Sequence, residues 1–514
     1  MAEHLDLLMF AGLVVAILTG FPAAFAIGGV AMLFALWGSS LGVFDLGLLG
    51  ALGQRVFGIL TNPVLIAIPL FVFMGLVLEK SKIAEELLTT MGRLFGHRPG
   101  GLGISVVLVG ALLAASTGIV GATVVAMGLI ALPAMLRAGT APSLGAGIVA
   151  TSGTLGQIIP PSTLLIILSD VMSNAYQQAQ YAAGKFTIDT ISVGETFAAA
   201  LFPGLVLVAI YIAYLWLRAR LRPQDLPPLK NVAPVSRRAL LTVILPPIAL
   251  ILAVLGSILG GVATPSEAAS VGAVGAILMA GARLGPQRLI LTGAAAFAAL
   301  AVLASARPIR LQRADTDAAD LVVAAIAATL LSVGLAALIL SLRRIAQSGI
   351  LTPVMRGTMT ISAMIFATII TASMFSLVLV GLGGETRIEQ ILEAMPGGAT
   401  GALLFAMALI FVLGFFLDFV EISVILLPLL LPVLIGMGHD PTWLAVLVAI
   451  NLQTSFLTPP FGFSLFYLRG AAPPEVTTGA IYRGVLPFIA LQALGIAVIW
   501  FIPQIATALP SWLY

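Results

Sequence analysis

The chain contains no cysteine. That excludes disulfide staples, Cys-ligated zinc, iron–sulfur clusters and thiol catalysis together. Charge is scarce as well: Asp, Glu, Lys and Arg make up 9% of the residues, against about 25% in a soluble domain. Histidine occurs at His4, His97 and His439 only, with no His-Glu-x-x-His or other metal spacing. Gly184-Lys185 runs into Phe186, so there is no Walker A motif and no sign of ATP chemistry. The balance of 24 basic against 21 acidic residues gives +3, which points to no acidic partner. An enzyme inside the membrane would need a nucleophile–base pair or a metal cluster. Neither pattern is present, so no enzymatic activity is expected.

What is abundant is apolar. Hydrophobic residues make up 60% of the 514, and mean hydropathy is +1.15. Too little polar surface remains to coat a water-soluble fold of this size. Soluble enzymes, nucleic-acid binders, coiled coils and disordered chains are therefore excluded. The runs 201–217 and 401–416 do not alternate with period two, which argues against a porin-like barrel. An all-α polytopic membrane protein remains. The start, Met1-Ala-Glu-His-Leu-Asp, is acidic and lacks a basic n-region, so the first apolar run is expected to be a retained helix. The 53 glycines and 30 prolines lie among apolar residues and fit close helix packing and interrupted helices.

An internal repeat organises the chain. Pro160-Pro161 recurs as Pro459-Pro460, 299 positions later. Pro133 and Pro432, and Gly139 and Gly438, keep the same offset of 299. Pro99-Gly100-Gly101 recurs as Pro396-Gly397-Gly398, at 297. Pro22…Gly29 matches Pro265…Gly272 at 243, so the second half carries about 56 additional residues. Residues 286–345 supply them, with apolar segments at 289–305 and 320–342. The expected division is a first repeat over 1–217, a cytoplasmic linker over 218–238 and a second repeat over 239–514. Each repeat has a re-entrant hairpin, at 102–136 and 401–435, and a proline-broken helix, at 144–171 and 442–470.

Each repeat is read as three spans, a hairpin and two further spans. Five crossings are odd, so the second repeat is inverted. With the N-terminus outside, 18 of the 24 basic residues fall on the inner side, and only Arg55, Lys185, Arg307, Arg310, Arg313 and Arg387 fall outside. Both termini are then expected on the periplasmic side of a bacterial inner membrane.

Inverted repeats with paired interrupted helices point to a secondary transporter. Proline lacks an N–H and disfavours helix in the residue before it. Around the first break stand Thr151, Ser152, Gly153, Thr154, Gly156, Gln157, Ser162 and Thr163; around the second stand Asn451, Gln453, Thr454, Ser455 and Thr458. Hydroxyls beside unwound carbonyls suit a hard monovalent cation. The hairpins are interrupted at Ser116-Thr117-Gly118 and at Gly414 and Asp418-Phe-Val-Glu421, so each tip is expected to face its own break. Asp418 and Glu421 are carboxylates in an apolar setting, either functional or a capping pair. The repeat position of Asp418 is Ile119, so the halves are not equivalent there. Thr264-Pro265-Ser266-Glu267 reads as a helix start. Asp45 and Asp170 look like membrane-edge residues.

Several stretches resemble the large membrane (M) subunit of tripartite ATP-independent periplasmic (TRAP) transporters. They are 20–28, 68–75, 153–162, 263–269, 417–422 with Pro428 and Pro432, and 457–462. The insertion, Asp-Phe-Val-Glu and the 451–463 segment resemble the long subgroup often labelled mannitol/chloroaromatic or 2-oxo acid type. The resemblance implies a sodium-coupled importer of an organic acid working by an elevator motion. It implies co-transported sodium and no organic cofactor. It also implies two partners, a small four-helix membrane subunit (Q) and a periplasmic substrate-binding protein (P). Carried onto this sequence, one sodium site involves Ser116, Thr117, Gly118, Gly156, Ile158 and Pro161. The other involves Gly414, Asp418, Ser455, Leu457 and Pro460. Substrate is expected between the tips, near Thr154, Gln157, Ser162, Thr163, Glu421 and Thr454. A stand-alone sodium/dicarboxylate symporter and a passive channel are the competing transport readings.

Overall fold

The computed structural model describes residues 4–117, 120–229, 234–307 and 318–514, with the backbone alone considered at 114–117. Among the described residues every regular element is helical, and nine helices are long and apolar enough to cross a bilayer. Helix is what an apolar chain must adopt in lipid, because each backbone N–H and C=O then finds its partner within the segment. The starts are written in side chains. Thr264 and Glu267 form a capping box at 2.8 and 3.3 Å, with Pro265 at the first helical position. Ser192, Asp440 and Thr477 cap the helices that follow them.

The two halves share their punctuation. Gly100 and Gly397, at φ +81° and +93°, stand before the incoming hairpin arms Gly101–Thr117 and Gly398–Leu413. Gly139 and Gly438, at +88° and +97°, follow the outgoing arms Val120–Arg137 and Leu427–Gly436. Each is followed by a proline opening the broken helix, Pro142 and Pro441. Both breaks carry a cis peptide, Pro160–Pro161 and Pro459–Pro460. Left-handed backbone at four corresponding positions is why glycine recurs there. The fold is an all-α polytopic membrane architecture of two inverted repeats with re-entrant hairpins and proline-broken helices.

Several details go beyond the sequence expectation. The outgoing arm of the second hairpin is not one α-helix: Phe419–Glu421 passes through a π-turn, Ile422–Leu426, into Leu427–Gly436. Leu240–Ile244 is a second π-turn, and Pro246-Pro247 follow it as Pro428 follows the first. Proline offers no N–H and crowds the carbonyl four residues back, which widens the preceding turn. Val193–Leu221 stays helical until Arg222-Pro223, four residues into the segment expected as a linker. Beyond it the chain is strapped down. Ala141 N–H donates to the Asp225 carbonyl at 3.0 Å, Gly100 N–H to Leu226 at 3.0 Å, and Leu229 N–H to Gly96 at 2.7 Å. Finally, the half-buried Asp170 carboxylate accepts the Asn62 amide at 2.8 Å. Asp45 caps the short turn Leu46–Ala51.

The inserted helices Arg288–Ala306 and Ala318–Gln347 pack on each other and on Pro265–Arg283. Small residues let them approach, with Gly293 against Ala337 and Gly281 against Ser341. Contacts also join residues that counting of Lys and Arg assigns to one face. Arg283 pairs with Glu86 at 2.6 Å, and Arg344 bonds the carbonyls of Gly281 and Pro286 at 3.0 and 3.1 Å. On the opposite face Arg387 pairs with Asp6, whose carboxylate is 2% exposed. Removing one partner of a buried pair costs about 3–5 kcal/mol. Arg387→Gln is therefore expected to lower the thermal midpoint of the detergent-purified protein sharply. Asp6→Asn/Arg387→Gln together should recover much of that loss, and a double variant as unstable as the single one would count against the pairing.

Candidate functional site

The site begins with the two interrupted helices. In the first, Pro142–Thr154 ends in the tight turn Leu155–Gln157, and the chain restarts as Thr163–Ala182 under a Ser162 cap. In the second, Pro441–Leu457 stops before Pro459-Pro460 and restarts as Phe463–Ala471. The predicted first-break residues Thr154, Gly156, Gln157, Ile158, Pro161, Ser162 and Thr163 are all buried in this interruption. The Ser162 hydroxyl donates to the Gln157 carbonyl at 3.0 Å, which turns the chain across the break. Thr154 Oγ1 donates to the Thr151 carbonyl at 2.8 Å.

The two breaks meet. Gln453 Nε2 donates to Thr154 Oγ1 at 3.4 Å, across a separation of 299 residues. That separation equals the repeat offset, so each residue touches its own counterpart. Such a contact forms only where the axis relating two repeats passes. In sequence Gln453 reads only as polar lining of the second break. The repeat offset itself was the available signal.

Polar groups here are incompletely satisfied. Gln157 is fully buried, and neither atom of its amide has a partner among the described residues. Gln453 Oε1 and Thr151 Oγ1 are likewise buried without partners. An unpaired buried amide costs about 1–3 kcal/mol per group, which makes these groups candidates for binding a ligand.

The hairpins pack around these breaks. The incoming arm Gly101–Thr117 lies on its own half's broken helix, where a Cβ at Gly110 would stand 2.5 Å from Ser152 Cβ. In the second half Gly414 lies directly against Ser455, which brings together two of the expected sodium ligands. The outgoing arms cross over. Val120–Arg137 packs on Phe463–Ala471, with Gly121 under the Tyr467 ring, and Leu427–Gly436 packs on Thr163–Ala182. Each hairpin therefore leans on both halves, beyond the expectation that each tip faces its own break. Tyr467 lies at this crossing and was missed because nothing in its sequence neighbourhood marks it.

Ser116 and Thr117 end the incoming arm, and Gly118 lies outside the described residues, as does Ile119. Asp418 is an N-cap rather than a helical residue. Its Oδ1 accepts the Phe419 N–H at 2.7 Å, while Glu421 Oε2 accepts the Asp418 N–H at 2.9 Å. The two carboxylates thus form a capping box, and Phe419–Glu421 touches Thr163–Ala182. Ser455 Oγ donates to the Leu452 carbonyl at 2.8 Å, and Thr454 Oγ1 to Ile450 at 2.7 Å. Leu457 is buried at the helix end, and the Pro460 carbonyl accepts the Tyr482 hydroxyl at 3.0 Å. Asn451 ties the second broken helix to its hairpin through the Met407 carbonyl at 2.7 Å.

Comparison with known proteins agrees with this architecture. Residues 10–505 match the family model described as tripartite ATP-independent periplasmic transporter, DctM component. A C4-dicarboxylate TRAP transporter large permease of Pseudomonas aeruginosa is 28% identical over 473 residues, 90% of each chain. Its namesake in Vibrio cholerae is 25% identical over 98% of this chain and 97% of the relative. An isethionate TRAP permease of Oleidesulfovibrio alaskensis is 24% identical over 98% of this chain and 66% of the relative. Among solved structures, the YdaH transporter of Alcanivorax borkumensis superposes with TM-score 0.55 at 14% identity, covering 99% of this chain and 98% of that one. MtrF of Neisseria gonorrhoeae gives 0.50 at 14% identity, over 88% and 84%. These two likenesses concern the fold alone. A multi-pass membrane chain with paired broken helices, matched by the family model over nearly its whole length, belongs to the tripartite ATP-independent periplasmic transporter family as its DctM component.

Proposed function

We propose that this chain is the permease subunit of a sodium-coupled importer that accepts an organic acid from a periplasmic binding protein. A small four-helix membrane subunit completes the complex. The arginine-rich face is cytoplasmic in this reading, and both termini are periplasmic. The single observation that carries the proposal is the meeting of the two breaks at Thr154 and Gln453, beside buried amide and hydroxyl groups without partners. A cluster of polar groups on the axis between inverted repeats is a place that both membrane faces can reach in turn. Sodium is assigned to the hairpin tips: Ser116, Thr117 and Gly118 with Gly156, Ile158 and Pro161, and Gly414 and Asp418 with Ser455, Leu457 and Pro460. Substrate is assigned to Thr154, Gln157, Ser162, Thr163, Glu421 and Thr454. Relatives named for C4-dicarboxylates make a four-carbon dicarboxylate the first substrate to test. Alternating access would move the hairpins and broken helices as one body against the remaining spans.

Asp418→Asn is the informative variant. Asparagine caps a helix about as well as aspartate, so the fold survives and only the charge is lost. In proteoliposomes containing the small subunit and loaded binding protein, wild type is expected to take up substrate with a sodium gradient but not a potassium gradient. Sodium should also raise the wild-type thermal midpoint saturably, since a ligand of the folded state stabilises it by mass action. Asp418→Asn should keep its midpoint in choline chloride and lose the sodium response. Uptake without the binding protein would favour a stand-alone symporter. Uptake indifferent to sodium in both forms would overturn the coupling.

A further inference from the structure

We propose that the crevice between helix Ile83–Phe95 and the first hairpin binds an anionic phospholipid. It encloses about 610 Å³. Leu102 and Val106 of the incoming arm, and Leu129 and Ile130 of the outgoing arm, give it apolar walls. Arg93, in the last turn of Ile83–Phe95, and Arg137, in the last turn of Val120–Arg137, line the same space. Both side chains are exposed, and neither makes a hydrogen bond or ion pair among the described residues.

Three other arginines assigned to this face are engaged. Arg218 holds Asp225 at 2.7 Å, Arg283 holds Glu86 at 2.6 Å, and Arg344 is bonded to two carbonyls. Glu85 also lines the crevice, but it stands two helical turns from Arg93, so the end bearing the arginines keeps its positive charge. Two guanidinium forks suit the oxygens of a phosphodiester. The apolar walls beside them suit acyl chains.

Helix position supports the same ligand. Ile83–Phe95 is amphipathic, with Leu87, Leu88 and Met91 buried and Glu85 and Arg93 exposed. Such a helix lies at headgroup level, where a lipid phosphate would be. The strap from the linker closes the crevice at Leu229, whose N–H is fixed to Gly96. A soluble anion would satisfy the arginines but leave the walls unused. A zwitterionic lipid carries the same phosphodiester, but its ammonium group returns a positive charge beside the two arginines. The site is separate from the two breaks, and the inference does not depend on which substrate is carried.

The test uses delipidated protein in detergent and reads its thermal midpoint during titration. The probes are dioleoylphosphatidylglycerol, dioleoylphosphatidylcholine and inorganic phosphate. The phosphatidylglycerol titration is expected to raise the midpoint saturably, with little response to phosphatidylcholine and none to phosphate. Arg93→Gln/Arg137→Gln should shift the half-saturating phosphatidylglycerol concentration upward by roughly thirtyfold, from about 1 kcal/mol per basic side chain near a lipid surface. Ala134→Trp, which narrows the crevice at its apolar wall and leaves both arginines in place, should weaken the response. Arg238→Gln, outside the crevice, should change nothing. A phosphate response matching that to phosphatidylglycerol would overturn the lipid assignment. So would wild-type lipid binding in either crevice variant.

Discussion

Gln157→Leu is expected to cut sodium-driven uptake by about a hundredfold while leaving the thermal midpoint unchanged or higher. The two readouts move apart because of where the amide sits. Gln157 is fully buried at the first break, and both atoms of its amide are without partners among the described residues. A side chain kept for packing alone would be as well or better served by leucine, which carries no polar group to desolvate. Hydrogen bonds to a charged species contribute about 1.5–3 kcal/mol each, so two of them account for the expected loss. Uptake and thermal unfolding measured on one preparation decide the matter. Unaltered uptake in Gln157→Leu would remove this residue from the site. A fall in uptake matched by a collapse in stability would assign it a structural role instead.

Much of this arrangement is legible in the sequence, for a specific reason. Breaks in a membrane helix must be made with residues that cannot continue it, so Pro160-Pro161 and Pro459-Pro460 stand out. Left-handed corners favour glycine, so Gly139 and Gly438 recur at the same offset. The Thr264 helix start is visible because a capping box is local in sequence. Asp-Phe-Val-Glu was ambiguous on the same ground: its spacing suits either a capping box or a carboxylate pair, and the structure builds the capping box. Features that depend on long-range packing left no such mark. The crossing of each outgoing arm onto the opposite half places Tyr467 against Gly121, and no local pattern announces it. The backbone strap at 225–229 uses N–H and carbonyl groups that any residue could supply. The π-turn before Pro428 has a local cause, since the proline perturbs the turn before it, but a lone proline in an apolar run does not by itself distinguish a π-turn from a kink.

A large loss of stability, with a functional consequence, is expected at a contact between bare backbones. Gly147, in Pro142–Thr154, and Gly484, in Thr478–Phe501, touch so closely that a Cβ on Gly147 would meet the Gly484 carbonyl, and one on Gly484 would meet the Ser143 carbonyl. A carbonyl cannot rotate aside as a side chain can, so the helices themselves must separate. Overpacking of this kind costs about 1–3 kcal/mol even in forgiving cores. Gly147→Ala is therefore expected to lower the thermal midpoint and the monodisperse yield strongly. Gly479→Ala, on the same helix with nothing within 4 Å of its Cβ, should be neutral or stabilising by about 0.5–1 kcal/mol. The consequence reaches both breaks. Thr478–Phe501 packs on the first broken helix, and its Tyr482 hydroxyl holds the Pro460 carbonyl of the second at 3.0 Å. One helix thus joins the two interruptions, and pushing it away from Gly147 draws Pro460 out of register with Thr154 and Gln453. Gly147→Ala protein rescued by low temperature should still fail to transport, whereas Gly479→Ala should transport normally. Full activity in rescued Gly147→Ala would show that the two breaks work without being held as one body.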